Sequence, residues 1–165
     1  MNTAIINGTA VFQQLAAEWD ALATTGITDT PFQTLAYQQA WWEHLQPEGS
    51  TIHTIAVRAS DDSLQAIGCF YLLDGVVHFN GCIEETDYLD LITTSASAEA
   101  AWTAVLEALN HPDFPTWHTL DFCNIPEASP SRAILAQLAS KHQLTYQESV
   151  NEVCPVVELP DSFDA

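Results

Sequence analysis

The sequence predicts an α/β (α+β) fold: a mixed, mainly antiparallel sheet flanked by about four helices. Three observations predict it. A run of β-branched and apolar residues is interrupted by Asp74-Gly75. That pair is the strongest hairpin signal in the chain, because a type I′ turn needs positive φ at both central residues. Apolar residues recur at helical spacing before and after that run. Towards the end of the chain, strands alternate with helices.

Residues 3–6 are expected to form a short first strand, and Asn7-Gly8-Thr9 a turn and a cap. Phe12, Leu15, Ala16, Trp19 and Leu22 then share one helical face, with Gln13, Gln14, Glu18 and Asp20 off it. Gly26 stops this helix. Residues 28–34 are a loop around Pro31-Phe32. Tyr37, Ala40, Trp41, His44 and Leu45 mark a second helix, which ends at Gln46-Pro47-Glu48-Gly49.

Residues 51–58, 64–73 and 76–80 read as a β-meander. A strand over 88–93 follows the acidic stretch described below. Ala98, Ala101, Trp102, Val105, Leu106 and Leu109 fall on one helical face. Ser95 or Ser97 can cap that helix, and Glu99 suits its positive end. Pro112 and Pro115 end it. Residues 119–123 are a short buried strand, and Ser129-Pro130 opens a fourth helix. Residues 144–150 and 153–159 are expected to form two last strands.

The chain has 165 residues, 47% of them hydrophobic, which suits a single domain over 1–165 with a real core. It carries 22 acidic residues but three basic ones, for a net charge of -19. Free nucleic acid is excluded as a ligand, since phosphate contacts need clustered cations. Anionic membrane surfaces are disfavoured for the same reason. No stretch approaches the ~20 apolar residues of a spanning helix. The first residues lack the basic region and apolar run of a signal peptide, so a cytoplasmic location is expected. Cys69, Cys82, Cys123 and Cys154 form no CxxC pair, and buried, reduced thiols are expected. The histidines are dispersed without metal-ligand spacing, and no metal site is expected.

The candidate site is residues 79–91, FNGCIEETDYLDL. Asn80-Gly81 signals a turn, and Glu84, Glu85, Asp87 and Asp90 then gather around Tyr88. Carboxylates between strands mark the mouth of a sheet, where loops carry function. Glu84, Asp87 and Asp90 can hold a cationic amine or act as a general base, and Tyr88 can bond or stack on a sugar. The plain alternative is a solvated loop with Asp87 capping a turn. Trp41 and Trp42 cannot share one helix face, so one is expected in the core and the other partly exposed. An exposed Trp42 would serve as a sugar platform or an interface anchor.

Several short motifs carry a resemblance. Pro31-Phe32-Gln33 followed by Trp41-Trp42 resembles the opening of the CelD-like acetyltransferases of cellulose biosynthesis, relatives of the FemAB-like aminoacyltransferases. Asp87-Tyr88-Leu89-Asp90-Leu91 resembles their Asp-Tyr-Leu-Asp-Leu-type strand. Asp121-Phe122 before Ile125-Pro126, and Cys154-Pro155 before Leu159-Pro160, are similar as well. The matches run in order over residues 32–163.

The resemblance implies a GNAT-like fold and transfer of an acyl group from a thioester to an amine. It also implies that this chain is the acceptor-side, N-terminal half of a two-half enzyme, inactive alone. The second GNAT-like half would join in cis or in trans, and a homodimer is possible. The complete enzyme would use acetyl-CoA or another acyl-CoA. This half is expected to bind none, because residues 93–98, TTSASA, offer neither glycine nor a cation where a pyrophosphate would sit. The competing reading is a non-catalytic acidic module that docks a basic protein.

Overall fold

Asp74 and Gly75 both take positive φ, 50° and 79°, and close the turn that the sequence predicts. The turn joins β3, Leu64–Leu73, to β4, Val76–Phe79. The computed structural model describes residues 1–82, 86–155 and 157. β2, Thr51–Arg58, runs antiparallel to β3, and β1, Asn2–Asn7, lies antiparallel on its far side. The six-stranded sheet has the order β1-β2-β3-β4-β6, with β5, Ile92–Thr93, pairing β3 off this path. β6, Thr119–Asp121, lies parallel to β4, and the other pairings are antiparallel. The predicted mixed, mainly antiparallel α/β sheet is the observed one.

Successive side chains on a strand point to opposite faces. Tyr71 pairs with His78, and Phe70 with Phe79. Trp41 of α3, Leu35–Leu45, stacks on Tyr71. Trp102 of α4, Ala98–Leu109, meets Phe79 edge-on. The two helices therefore cover opposite faces. β2 is buried from Ile52 to Val57 without a break, as a strand covered on both faces must be. α5, Ser131–Lys141, packs on α4.

The structure corrects the sequence reading in five places. The first helix is split into α1, Val11–Gln14, and α2, Trp19–Ala23. The intervening turn lets Glu18 reach Arg58 and lets the Trp19 indole donate to Gln33 O at 2.9 Å. The strand expected over 88–93 is reduced to Ile92–Thr93, because Leu89 N–H bonds Asn124 O and Leu91 N–H bonds the Asp90 carboxylate. Residues 144–150 form no strand: Tyr146 and Glu148 turn to Arg132 instead of a sheet edge. The described part of 153–159 is not a strand either. Trp41 and Trp42 are both buried, since α3 is covered over a face wide enough for two successive side chains.

Candidate functional site

β4 and β5 share one edge of β3 but not the same part of it. β4 pairs residues 70–73, and β5 pairs Ala66 and Ile67. The chain leaves the sheet between them and returns. Gly68 lies in the gap, where a Cβ would stand 2.5 Å from the Phe70 ring. Only glycine lets that ring fold back over the unpaired stretch.

Amide side chains hold the departure point. Asn80 is 1% exposed and donates through Nδ2 to Gln38 O and Gln38 Oε1, both at 2.9 Å. Gln38 Nε2 donates in turn to Asn80 O at 3.0 Å and Phe32 O at 2.8 Å. Gln33 Nε2 donates to Asp90 O at 2.6 Å. These contacts fasten the excursion to the start of α3. On its other side Asn124 Nδ2 donates to Thr86 O at 2.5 Å, and Leu89 N–H donates to Asn124 O at 3.0 Å.

Asp90 lies inside this frame, 3% exposed. Its Oδ1 accepts from Leu91 N–H at 2.7 Å and from Ser131 Oγ at 2.5 Å, and its Oδ2 accepts from Ser129 Oγ. Burial pushes its pKa above the usual carboxylate value, and the hydroxyl and backbone donors pull the other way. Expected at an open mouth, Asp90 is instead a buried anchor for the first turn of α5.

Asp87 and Tyr88 are exposed beside each other. Tyr88 holds a left-handed backbone with φ 55°, which turns its ring out of the core. The Cys154 side chain near its hydroxyl raises its pKa above the ordinary phenol value, and the Asp87 charge acts the same way. Glu84 lies outside the described residues. Trp42 is buried on α3, so the structure does not set it beside Asp87 and Tyr88 on an open surface.

Two groupings escaped the sequence reading. His78 lies in parallel register with Asp121, Nδ1 to Oδ2 3.6 Å, and stacks on Tyr71 at 4.8 Å between centroids. Cys82 and Cys123 form a disulfide with Cα atoms 5.8 Å apart, which corrects the expectation of reduced thiols. Cys69 is free and buried, its thiol pushed up to about 12 by desolvation, and Cys154 is free and exposed. No local spacing announces either pairing. The Ser-Pro-Ser run at 129–131 was legible as a helix start, but not the carboxylate it binds.

The start of α4 does not fit an acyl-CoA pyrophosphate. Glu99 places a carboxylate in its first turn, the Ser97 N–H is bonded to Thr94 O at 3.1 Å, and residues 93–98 hold no cation. Among the described residues, no His, Cys, Asp and Glu cluster is placed to hold a metal ion, and no helix is long and apolar enough to cross a membrane.

No family model matches the chain. No curated protein matches it. Among solved structures, it is similar to the aminoglycoside antibiotic 6'-N-acetyltransferase AAC(6')-Ih from Acinetobacter baumannii, with 9% identity and a TM-score of 0.40 over 95% of this chain and 100% of that one.

Proposed function

We propose that this chain is the acceptor-side half of a GNAT-type N-acyltransferase. It would present an amino group of a cell-envelope or polysaccharide-related substrate to a thioester held by a second half, in cis or in trans. The motif resemblance supports this reading. So does the mixed, mainly antiparallel sheet with helices on both faces, the fold that the resemblance implies. The observation that carries it is the exposed Asp87–Tyr88 pair at the split in the sheet. A carboxylate beside a phenol suits an ammonium-bearing sugar: Asp87 attracts the cation, and Tyr88 bonds or stacks on the ring. Asp90 contributes by fixing the backbone that presents them. The α4 N-terminus does not fit the donor, so acyl-CoA falls to the other half.

The test is calorimetric titration of the chain with glucosamine, repeated with Asp87→Asn and Tyr88→Ala. Binding weakened about tenfold by each variant supports the reading. Unchanged binding in both, or none by the unaltered chain, overturns it.

A second reading is favoured by the charge. Arg58 is paired with Glu18 and Arg132 with Glu148, so two of the three cations are already matched by carboxylates of this chain, whose net charge is -19. On this reading the chain is a non-catalytic module docking a basic protein, with polylysine as a probe. Association that weakens steeply with salt, without glucosamine binding, would favour it.

A further inference from the structure

We infer that Cys82 and Cys123 are a reversible thiol–disulfide pair that sets how tightly residues 86–89 are held at the mouth. Cys82 stands where the chain leaves β4, and Cys123 stands just past β6. The bond thus joins the departing segment to the strip that clasps it. That strip also holds Thr86 and Leu89 through Asn124. Cross-link and hydrogen bonds act on the same short stretch.

Both cysteines rest on neighbours that stay in place without the bond. Cys82 N–H donates to Phe79 O at 3.0 Å, and Cys82 O accepts from the Tyr71 hydroxyl at 3.1 Å. Phe122 stacks on Phe79 at 4.5 Å between centroids, which seats Cys123. The folded backbone therefore keeps the two sulfurs facing each other after reduction, and the bond re-forms within one chain. Beyond the clasp, Asp90 fixes the far end through Ser129, Ser131 and Leu91 whatever the state of the sulfurs. Reduction should then loosen one segment and leave the sheet intact.

The exchange balances with a dithiol as reductant. One of its thiolates attacks Sγ of Cys123, which is half-buried, whereas Cys82 is 8% exposed. The sulfur–sulfur bond breaks, and Cys82 leaves as a thiolate that takes up a proton. The second thiol of the reductant displaces Cys123 from the mixed disulfide. Two electrons pass to the pair, the reductant ends as a cyclic disulfide, and both cysteines end as thiols. The inference stands apart from acyl transfer, since it is read from thiols and backbone protection.

The full chain would be equilibrated in reduced and oxidised dithiothreitol, trapped with iodoacetamide, and mapped by peptide mass. Amide exchange would be read on the same samples. Expected in the oxidised form is protection of Cys82 and Cys123 from alkylation, with Cys69 and Cys154 alone as thiols. Expected on reduction is exchange about tenfold faster at 86–89, with β2 and β3 unchanged. Cys82→Ser and Cys123→Ser should match the reduced form. Alkylation of both cysteines under oxidising conditions overturns the inference. So does a pair that resists reduction in the folded chain, or equal exchange at 86–89 in both forms. If a serine variant does not fold, the two redox forms of the unaltered chain decide alone.

Discussion

Ser131 Oγ donates to Asp90 Oδ1 at 2.5 Å while accepting the indole N–H of Trp102 at 2.7 Å. One hydroxyl thus joins the core of α4 to the backbone that frames the mouth. Ser131→Ala strands a buried indole donor and removes one partner of a buried carboxylate. It should cost about 1–3 kcal/mol, the penalty of an unmet buried polar group. Asp90→Ala removes the acceptor for Ser129, Ser131 and Leu91 together and should cost about 3 kcal/mol. Urea unfolding midpoints measure both. A loss under about 0.5 kcal/mol for Asp90→Ala would show that the network does not hold the fold.

The same carboxylate gives a pH dependence with a definite sign. Burial raises the Asp90 pKa above its ordinary 3.8 in the folded protein. The folded state therefore binds this proton more tightly than the unfolded state. Stability should fall as pH rises from 3.8 through the raised value, then stay level. Asp90→Asn should flatten that limb of the stability curve measured by denaturant titration. If the limb survives in Asp90→Asn, other groups produce it.

His53 acts on the other side. Its Nδ1 lies 2.7 Å from Asn7 Oδ1 and its Nε2 lies 2.8 Å from Thr51 Oγ1. The neutral ring satisfies both, donating to the amide and accepting from the hydroxyl. Burial lowers its pKa from 6.5, so below that pH the unfolded chain takes up the proton first. Stability should fall as pH drops from 6.5 to the lowered value, and His53→Gln should remove that slope. Thermal unfolding across this range checks it, and an unchanged slope in His53→Gln would assign the effect elsewhere.

What was legible in the sequence is what local pattern determines. Thr51–Arg58 and Leu64–Leu73 have the bounds read from their β-branched and apolar residues, and Asp74-Gly75 adopts its turn. What was not legible depends on partners far along the chain. Asp90 reads as a solvated carboxylate until Ser129 and Ser131 arrive from about 40 residues away. Cys82 and Cys123 read as separate thiols until β6 lies down beside β4. The Leu144–Val150 pattern has the alternation of a strand, but Arg132 draws Tyr146 and Glu148 along α5. Exposure at the mouth was legible for Asp87 and Tyr88 from their place in a carboxylate-rich loop.

Tyr88 offers a test of the frame through its backbone. At φ 55° a side chain crowds its own carbonyl, a conformation that Asn tolerates and a β-branched residue does not. Tyr88→Val should cost about 1–2 kcal/mol, and Tyr88→Asn should be close to neutral. Equal unfolding midpoints for the two variants would mean that the backbone here relaxes without cost.

The cross-link makes the largest claim on stability. The bond between Cys82 and Cys123 spans 41 residues. Closing a loop of that length in the unfolded chain stabilises the folded state by about 4 kcal/mol on the chain-entropy account. The effect lies in the unfolded ensemble, so it should be present in the oxidised protein and absent from the reduced one. Cys82→Ser with Cys123→Ser should unfold at the midpoint of the reduced chain under either condition. Oxidised unaltered protein should unfold at clearly higher urea, with a smaller m-value because its unfolded state is more compact. If the oxidised protein and the double variant unfold together, the bond does not constrain the unfolded chain. Stability would then rest on the hydrogen-bonded clasp alone.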